Sequence, residues 1–298
     1  MEKKIHNLVL IFISVILITF LTGVWQNQSF LKGNSATSAE VPSLTSHNDT
    51  DLKEPDIPLF TDKILQRKSW KLVFSDNFKR ANLNLNKWNT CYWQSEAGGC
   101  TNSNNQESQW YQPDDVLVEN GVLRLRAQAR NVKEGYNYTS GMVTSEGKFN
   151  FQYGYFEIRA KVPKGQGLWP AFWTLPTQRN LWPPEIDVVE VLGNKPNTIY
   201  MSNHYRKNGD ATYATQDFQG DDFSADFHKF GVLWQSNIIV WVVDGVERFR
   251  VTNNIPNLPM YLLINLAVGG KWPGYPDSTT VFPNYYDVDY VRVWQTAG

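Results

Sequence analysis

The chain has 298 residues, and its 28 Lys plus Arg nearly balance its 29 Asp plus Glu, which gives a net charge of −1. This balance argues against a nucleic-acid-binding protein, which typically carries a strong basic excess. Four His and two Cys are too few for a zinc ribbon or finger. Hydrophobic residues make up 42%, enough for a buried core, and the 12 Trp favour stacking on flat ligands.

The first 25 residues have the pattern of a targeting segment. Lys3 and Lys4 precede an apolar run over 8–25, which is the order of basic and apolar regions in a secretory signal. The run also approaches the ~20 residues needed to span a bilayer. A cleaved signal and an uncleaved anchor both stay open. Either one predicts export, so we expect a protein that is secreted or tethered to the outer side of a membrane by residues 8–25.

Residues 26–68 are rich in Ser, Thr, Asn and Asp and show no sustained period, which is typical of a spacer. The folded, catalytic domain is then predicted to be residues 69–298. That length suits a single all-β sandwich or barrel. A monomer is the default expectation.

Cys91 and Cys100 bracket a short loop that contains Gly98 and Gly99. In an exported chain this pair is expected to form a local disulfide. In a reducing compartment both thiols would be free. The predicted bridge would clamp the loop and implies nothing about activity.

Strand patterns dominate the domain. Asn120–Gly121 and Asp244–Gly245 each separate two apolar runs, and both predict type I′ hairpins because these residues tolerate positive φ. Residues 155–162 alternate between apolar and polar, whereas 260–268 are almost continuously apolar, as in a strand buried on both faces. Many short strands separated by turns predict an all-β fold of two packed antiparallel sheets, a β-sandwich or jelly roll.

The most informative segment is 182–193, WPPEIDVVEVLG. Glu185 and Asp187 are two residues apart and therefore face the same side of a strand. Strict alternation would send Glu190 to the opposite face, but a β-bulge at 188–189 would bring it to the side of the other two acids. Three acids on one strand face repel each other, so stability does not favour the arrangement.

Glycosidic-bond cleavage is a chemistry that needs such a set. One carboxylic acid protonates the leaving oxygen, and one carboxylate lies on the other side of the anomeric carbon. Glu185 and Glu190 can reach the ~5–5.5 Å separation of the retaining mechanism. Asp187 would share a proton or hydrogen bond with Glu185, and both negative charges would raise the pKa of Glu190. A solvated acidic face and a calcium site are the other interpretations of the three acids.

Trp169 and Trp173 lie just upstream of the acids, in GLWPAFW. Two Trp beside a cleft offer flat apolar platforms that match the faces of pyranose rings. On their own, two Trp at this spacing more often belong to a core. Together with the acids they favour a sugar-binding site.

At these residues the sequence resembles glycoside hydrolase family 16, and within it the laminarinase-like endo-β-1,3-glucanases. The resemblance covers nearly the whole domain. In family order it includes WKLVFSDNFKRANLNLNKW, YTSGM, LWPAFW, PPEIDVVEVLG, His204, MYLLINLAVGGKWPG and VDYVRVWQ. The spacing E-x-D-x-x-E is similar to that of laminarinases, agarases and κ-carrageenases, whereas lichenases and xyloglucan-acting relatives typically lack the extra residue.

The resemblance implies a concave substrate cleft with Glu185 as the nucleophile, Asp187 as its assisting acid and Glu190 as the general acid/base. No cofactor is implied for the chemistry, and a polysaccharide is the implied partner.

The same resemblance implies that Trp169 and Trp173 line the glycone subsites and that His204 stands beside the acid/base. It also implies that Asn105 and Glu107 contribute to the cleft. For His204, a purely structural role in its strand stays open.

Many members of the family bind a structural calcium on the convex face through an N-terminal acid, a hairpin glycine carbonyl and a C-terminal aspartate. Gly121 and Asp289 match that pattern. Asn77 stands where an acidic residue is usual, which lowers the charge of the expected site.

The leading hypothesis is a retaining endo-acting glycoside hydrolase that cleaves β-1,3-glucan or mixed β-1,3-1,4-glucan. One alternative is a family relative that acts on another β-linked polymer, such as a galactan or a bacterial exopolysaccharide. Another is a non-catalytic sugar-binding sandwich, which would not be expected to keep all three acids. A serine hydrolase is poorly supported because no G-x-S-x-G occurs in the sequence.

Overall fold

The computed structural model of the chain describes residues 69–92 and 100–296. The expected targeting segment at 1–25 and the spacer at 26–68 lie outside the described residues. The domain boundary near 69 therefore stays a prediction. Within the described ranges, no helix is long and apolar enough to cross a membrane.

The described residues are almost entirely strands and turns, joined by two short 3-10 segments, Ser103–Asn105 and Pro113–Asp115. The strands are β1 (Trp70–Asp76), β2 (Gln109–Tyr111), β3 (Val116–Glu119), β4 (Val122–Ala127), β5 (Tyr138–Ser140), β6 (Met142–Thr144), β7 (Gly154–Lys161), β8 (Leu168–Pro176), β9 (Glu185–Val191), β10 (Thr198–Lys207), β11 (Asp210–Gln219), β12 (His228–Gln235), β13 (Ile238–Val243), β14 (Val246–Val251), β15 (Met260–Val268) and β16 (Asn284–Thr296).

Two large antiparallel sheets build the domain. The eight-stranded sheet has the order β14-β13-β12-β7-β16-β4-β3, and β1 also pairs with β16. The six-stranded sheet has the order β11-β10-β9-β8-β15-β6, and β2 and β5 form a small parallel pair. The predicted all-β antiparallel sandwich, a jelly roll, is confirmed.

The main apolar core is formed by residues from both large sheets. Strand β15 is buried along its whole length. Its Leu262 and Ile264 belong to the main core, whereas Tyr261 and Leu263 join a second cluster on the other face. This two-sided burial explains the continuous apolar sequence of β15 and confirms the prediction made from it.

Both predicted hairpin turns are present. Asn120 and Gly121 connect β3 to β4 with φ of 53° and 76°, and Asp244 and Gly245 connect β13 to β14 with φ of 49° and 80°. Positive φ at both central residues is the requirement of a type I′ turn.

Strand β7 is the strand predicted over 155–162, and its alternate residues starting at Phe156 face the main core. The other face is more buried than the alternation indicated, because Tyr155 and Glu157 are 0% and 4% exposed. Tyr155 packs in a separate apolar cluster with Trp294, and its hydroxyl donates to Glu157 Oε2 at 2.6 Å. Glu157 is therefore buried next to a hydroxyl that donates a hydrogen bond to its carboxylate.

Cys91 and Cys100 form the predicted disulfide. The carbonyl of Cys100 accepts a hydrogen bond from the backbone N–H of Tyr111 at 2.6 Å. The bridge is thereby fixed to β2, whose Tyr111 extends toward the acid-bearing face of the six-stranded sheet.

Candidate active site

Strand β9 carries the three acids and contains the predicted bulge. The step from Asp187 to Glu190 is three residues long on β9, but the matching step from Ser202 to Tyr200 on β10 is only two. The pairing with β8 shifts at the same place. One extra residue therefore lies at 188–189.

The bulge decides which way the last acid points. Val188 and Val189 are 2% and 1% exposed, and both belong to the main core. Because two successive residues face inward, Glu190 returns to the face that carries Glu185 and Asp187. A regular strand, with the Glu190 carboxyl in the core, is excluded.

Strand β10 places a histidine across from the first two acids. His204 pairs in register with Glu185. Its Nε2 lies 2.9 Å from Asp187 Oδ2 and 3.6 Å from Glu185 Oε1. The resemblance implied a place beside Glu190, and that placement is wrong, because the register puts Tyr200 opposite Glu190.

The neighbouring carboxylates keep this imidazole charged. Burial alone would lower the pKa of His204. Hydrogen bonding and charge from Asp187, together with the charge of Glu185, outweigh burial and raise the pKa to about 9. His204 is therefore an imidazolium at neutral pH. Besides its structural role in β10, it places a positive charge next to the acid row, by which we mean Glu185, Asp187 and Glu190.

Each of the two outer acids accepts a hydrogen bond from an indole N–H. Trp169 Nε1 donates to Glu190 Oε1 at 3.0 Å, and Trp182 Nε1 donates to Glu185 Oε2 at 2.8 Å. Such donors stabilise and orient a carboxylate. Trp169 was predicted only as a stacking platform, and no role was predicted for Trp182. The available signal was its position three residues before Glu185.

Burial and mutual repulsion raise the pKa of both outer acids. For Glu190, burial is the largest cause, followed by the charges of Asp187 and Glu185. For Glu185, burial and the charge of Asp187 also raise the pKa, but the positive charge of His204 lowers it. Only Glu185 has a positive charge beside it that favours its ionised form, so Glu190 is the more readily protonated of the two. The row can hold one protonated and one ionised carboxyl, as general-acid and nucleophilic glycosyl chemistry requires.

Trp173, the second predicted platform, is held by a buried chain of polar side chains. Its Nε1 donates to Asn265 Oδ1 at 2.7 Å, and the Asn265 amide donates to the Tyr111 hydroxyl at 3.0 Å. The Tyr111 hydroxyl in turn lies 3.5 Å from Glu107 Oε2. This buried chain of hydrogen-bonding side chains therefore fixes the orientation of the Trp173 ring.

Asn105 and Glu107 act as one unit at the far end of this chain. Glu107 is 7% exposed, and its carboxylate accepts hydrogen bonds from Asn105 Nδ2 at 3.0 Å and Gln109 Nε2 at 2.6 Å. Burial raises the pKa of Glu107 in spite of these donors. Glu107 thus supports Trp173 from within the protein. Direct contact of Asn105 or Glu107 with a sugar stays a prediction.

Two further aromatic residues, for which no role was predicted, lie at the Glu190 end of the row. The Trp272 ring is 5.3 Å from that of Trp169 and 4.8 Å from that of Tyr200, and it is 43% exposed. Tyr200 lies directly opposite Glu190 on β10. Three rings therefore lie together at the Glu190 end of the row.

A metal ion is the other interpretation of the acid cluster. Glu185, Asp187 and His204 each place one potential ligand atom within 4.8 Å of the other two. Calcium prefers oxygen ligands, and a protonated imidazole offers no lone pair at Nε2. The imidazole nitrogen among these three potential ligand atoms therefore does not suit calcium.

The expected structural calcium site lies elsewhere. Strands β1 and β4 both pair with β16, which brings Asn77, Gly121 and Asp289 into one region. The Asp289 carboxylate, however, lies 2.7 Å from Arg159 Nη1. The one carboxylate among the three expected ligands is therefore paired with a guanidinium. Calcium binding stays a prediction.

Comparison with known proteins decides the family. The model for "Glycosyl hydrolases family 16" matches residues 102–292, which include the whole acid row. The chain belongs to glycosyl hydrolase family 16. The chain is 38% identical to endo-1,3-1,4-beta-glycanase EglC of Rhizobium meliloti (strain 1021), with 77% of this chain and 53% of the relative covered. It is 32% identical to a beta-glucanase of Rhodothermus marinus, with 80% and 89% covered.

Solved structures of family 16 members agree with this assignment. The laminarinase catalytic domain of Thermotoga maritima MSB8 superposes with a TM-score of 0.70 at 35% identity, over 78% of this chain and all of that one. The endo-beta-1,3-glucanase of Pyrococcus furiosus gives 0.70 at 36%, over 78% and 96%. The chain spans about half the length of the first curated relatives that it matches.

A second family model also matches part of the chain. It describes beta-glucan synthesis-associated proteins SKN1/KRE6/Sbg1 and covers residues 4–181. The match overlaps the family 16 region from residue 102 onward and ends before Glu185. It therefore includes Trp169 and Trp173 but none of the three acids.

Proposed function

We propose that the chain is a retaining, endo-acting glycoside hydrolase that cleaves β-1,3-glucan or mixed β-1,3-1,4-glucan. The observation that carries the proposal is the bulge in β9, which sets Glu185, Asp187 and Glu190 on one face, with an indole N–H on each outer acid. Relatives named as endo-1,3-1,4-beta-glycanase and laminarinase support the substrate class.

In the first step, the Glu185 carboxylate attacks the anomeric carbon while Glu190 protonates the glycosidic oxygen. The bond from the anomeric carbon to the leaving sugar breaks, and a covalent glycosyl ester forms on Glu185. The elevated pKa of Glu190 keeps its proton available for this transfer.

In the second step, Glu190 is ionised and takes a proton from water. The water oxygen attacks the anomeric carbon, and Glu185 is released as a carboxylate. Two inversions leave the β configuration unchanged. The negative charge passes from Glu185 to Glu190 in the first step and returns in the second, and the imidazolium of His204 lies 3.6 Å from Glu185 Oε1, where that charge begins and ends.

The test is a side-by-side assay on laminarin, mixed-linkage glucan, agarose and carrageenan, with Glu185→Ala as the inactive control. We expect cleavage of the glucans and NMR signals of the β-anomer before mutarotation. An initial α-anomer would contradict retention. Cleavage of agarose or carrageenan alone would reassign the substrate to a galactan, and binding without turnover would indicate a sugar-binding sandwich.

Transfer of a glucan chain to a sugar acceptor is a second candidate function. The match to beta-glucan synthesis-associated proteins favours it. Transfer would use the same glycosyl ester, with a sugar hydroxyl in place of water. Products longer than the starting oligosaccharide would support it.

Export is also proposed, with residues 1–25 as a cleaved signal or an anchor and 26–68 as a spacer to a monomeric domain. The basic-then-apolar sequence of the first segment supports it. Cell fractionation tests the proposal: enzyme in the medium with a shortened N-terminus indicates a signal, and membrane-bound full-length enzyme indicates an anchor. Cytoplasmic enzyme would contradict both.

A further inference from the structure

An indole from the eight-stranded sheet reaches the strand that carries the acids. Trp241 lies on β13, is fully buried and belongs to the main core. Its Nε1 donates a hydrogen bond of 2.7 Å to the backbone carbonyl of Asp187 on β9. The mechanism proposed above does not use Trp241, which approaches β9 from the core side.

The accepting carbonyl lies where the strand pairing changes. Asp187 pairs with Ser202 on β10 and with Trp173 on β8, and both registers shift immediately after it. In a regular strand the carbonyls lie in the plane of the sheet and bond the neighbouring strands. The donor from the opposite sheet therefore occurs at the point where the bulge disrupts this hydrogen-bond ladder.

The bulge needs such a fixed point. Val188 and Val189 are the same residue type, so their side chains do not select which of the two is the extra one. A buried carbonyl without a partner costs free energy comparable to a lost hydrogen bond. Without the indole, β9 would gain by turning the Asp187 peptide back toward a neighbouring strand. That turn would move the extra residue along β9 and displace the Asp187 side chain.

The indole itself is held firmly. Trp241 pairs in register with Val232 on β12 and with Phe249 on β14, and its ring centroid lies 4.8 Å from that of Phe249. A side chain whose position is locked by packing can fix the group that it bonds to within the ~0.5 Å that catalytic geometry requires.

We propose that Trp241 is a positioning residue: its indole N–H fixes the bulge of β9 at 188–189 and thereby holds the Asp187 carboxylate against His204 and Glu185. The effect on turnover rests on the proposed function. The position of Asp187 can be measured without turnover, because the imidazole of His204 lies 2.9 Å from Asp187 Oδ2.

Trp234 supplies a matched control. It is also fully buried, belongs to the same core and lies on the adjacent strand β12. Its Nε1 donates to the backbone carbonyl of Pro256 at 3.0 Å, in the segment between β14 and β15. Trp241→Phe and Trp234→Phe therefore each remove one indole and one buried hydrogen bond, but only the first releases β9.

The first measurement is kcat and KM on laminarin. In Trp241→Phe we expect kcat to fall about tenfold to a hundredfold, as for a catalytic group displaced by ~1 Å. The KM should stay nearly constant, because the aromatic platforms on β8 remain. Trp234→Phe should lower the melting temperature by a similar amount and leave kcat nearly unchanged. Equal losses of kcat in the two variants, or an unchanged kcat in Trp241→Phe, would overturn the positioning role.

The second measurement is the titration of the His204 imidazole by NMR, with the signal assigned from His204→Gln. Burial lowers the pKa of His204, but Asp187 and Glu185 raise it to about 9. If the contact with Asp187 opens from 2.9 Å to ~4 Å, the midpoint falls by about one pH unit at an effective dielectric constant of ~20. We expect this fall in Trp241→Phe and not in Trp234→Phe. An unchanged midpoint in Trp241→Phe would overturn the proposal.

A closer replacement covers the case in which Trp241→Phe does not fold. Replacing Trp241 by 3-benzothienylalanine keeps the shape of the indole and puts sulfur in place of the N–H. The same two measurements on this protein, with the same replacement of Trp234 as the control, then decide. A wild-type protein that cleaves no β-glucan would overturn the proposed function, and the NMR comparison would still confirm or reject the role of Trp241 in placing Asp187.

Discussion

Replacing His204 by glutamine removes a positive charge from the acid row and keeps a side chain that can donate to Asp187. The imidazolium lowers the pKa of Glu185. Without it, the pKa of Glu185 rises, and a larger fraction of the nucleophile is protonated at any acidic pH. The acid limb of the kcat/KM profile, which reports on the free enzyme, must therefore move to higher pH.

The size of the shift follows from the 3.6 Å between His204 Nε2 and Glu185 Oε1. At this distance two unit charges interact by about 1.2 kcal/mol in bulk water and about 4.6 kcal/mol at an effective dielectric constant of ~20. The two side chains are 21% and 15% exposed, so the site lies between these limits. At 1.36 kcal/mol per pKa unit, we expect a shift of about one to three pH units.

The assay is kcat/KM on laminarin from pH 4 to 10, for the wild type, His204→Gln and the charge-keeping His204→Lys. The lysine variant should return the acid limb toward its original position even if its maximal rate is low. An acid limb that stays in place or moves to lower pH in His204→Gln would refute the electrostatic role given to His204.

Three further predictions concern stability, catalysis and metal binding. Because the pKa of Glu190 is raised in the folded state, the wild type loses stability as pH rises from the unfolded-state pKa of ~4.3 through the folded-state pKa. Glu190→Gln, which cannot ionise, should therefore raise the melting temperature more at pH 9 than at pH 5. An equal change in melting temperature at the two pH values would contradict burial of the charge. Trp182→Phe removes the donor to Glu185 and should lower kcat/KM by roughly tenfold to a hundredfold, with a melting temperature within a few degrees, whereas an unchanged rate would show that the bond is dispensable. Arg159→Ala frees the Asp289 carboxylate, so calcium should raise the melting temperature of this variant more than that of the wild type; equal shifts would show that Arg159 does not compete.

The acid row could be predicted from the sequence because strand periodicity is strict. With Glu185 and Asp187 two residues apart, Glu190 reaches their face only if one residue is extra, and the structure has that extra residue at 188–189. The hairpins at Asn120 and Asp244 could be predicted for a similar local reason, since the turn itself requires the residue types present.

Pairing between strands could not be predicted from these patterns. His204 lies beside Glu185 because of the register of β10 on β9, which the residue patterns of the two strands do not specify. The hydrogen bond from Trp182 depends on the path of the segment between β8 and β9. The burial of Glu157 depends on Tyr155 and on packing outside the main core, which alternation in a single strand does not reveal.

The neighbours of β9, and not its own residue count, fix the distance between the two outer acids. From Glu185 to Glu190 the strand advances five residues, while β10 advances four, from His204 to Tyr200. A β9 one residue shorter between the outer acids would pair with β10 without a bulge. It would still present all three acids on the same face, with the same distance between the two outer acids. What it would lose is one of two adjacent valines beneath them. The extra residue therefore changes the packing beneath the site and leaves the separation of the two outer acids unchanged.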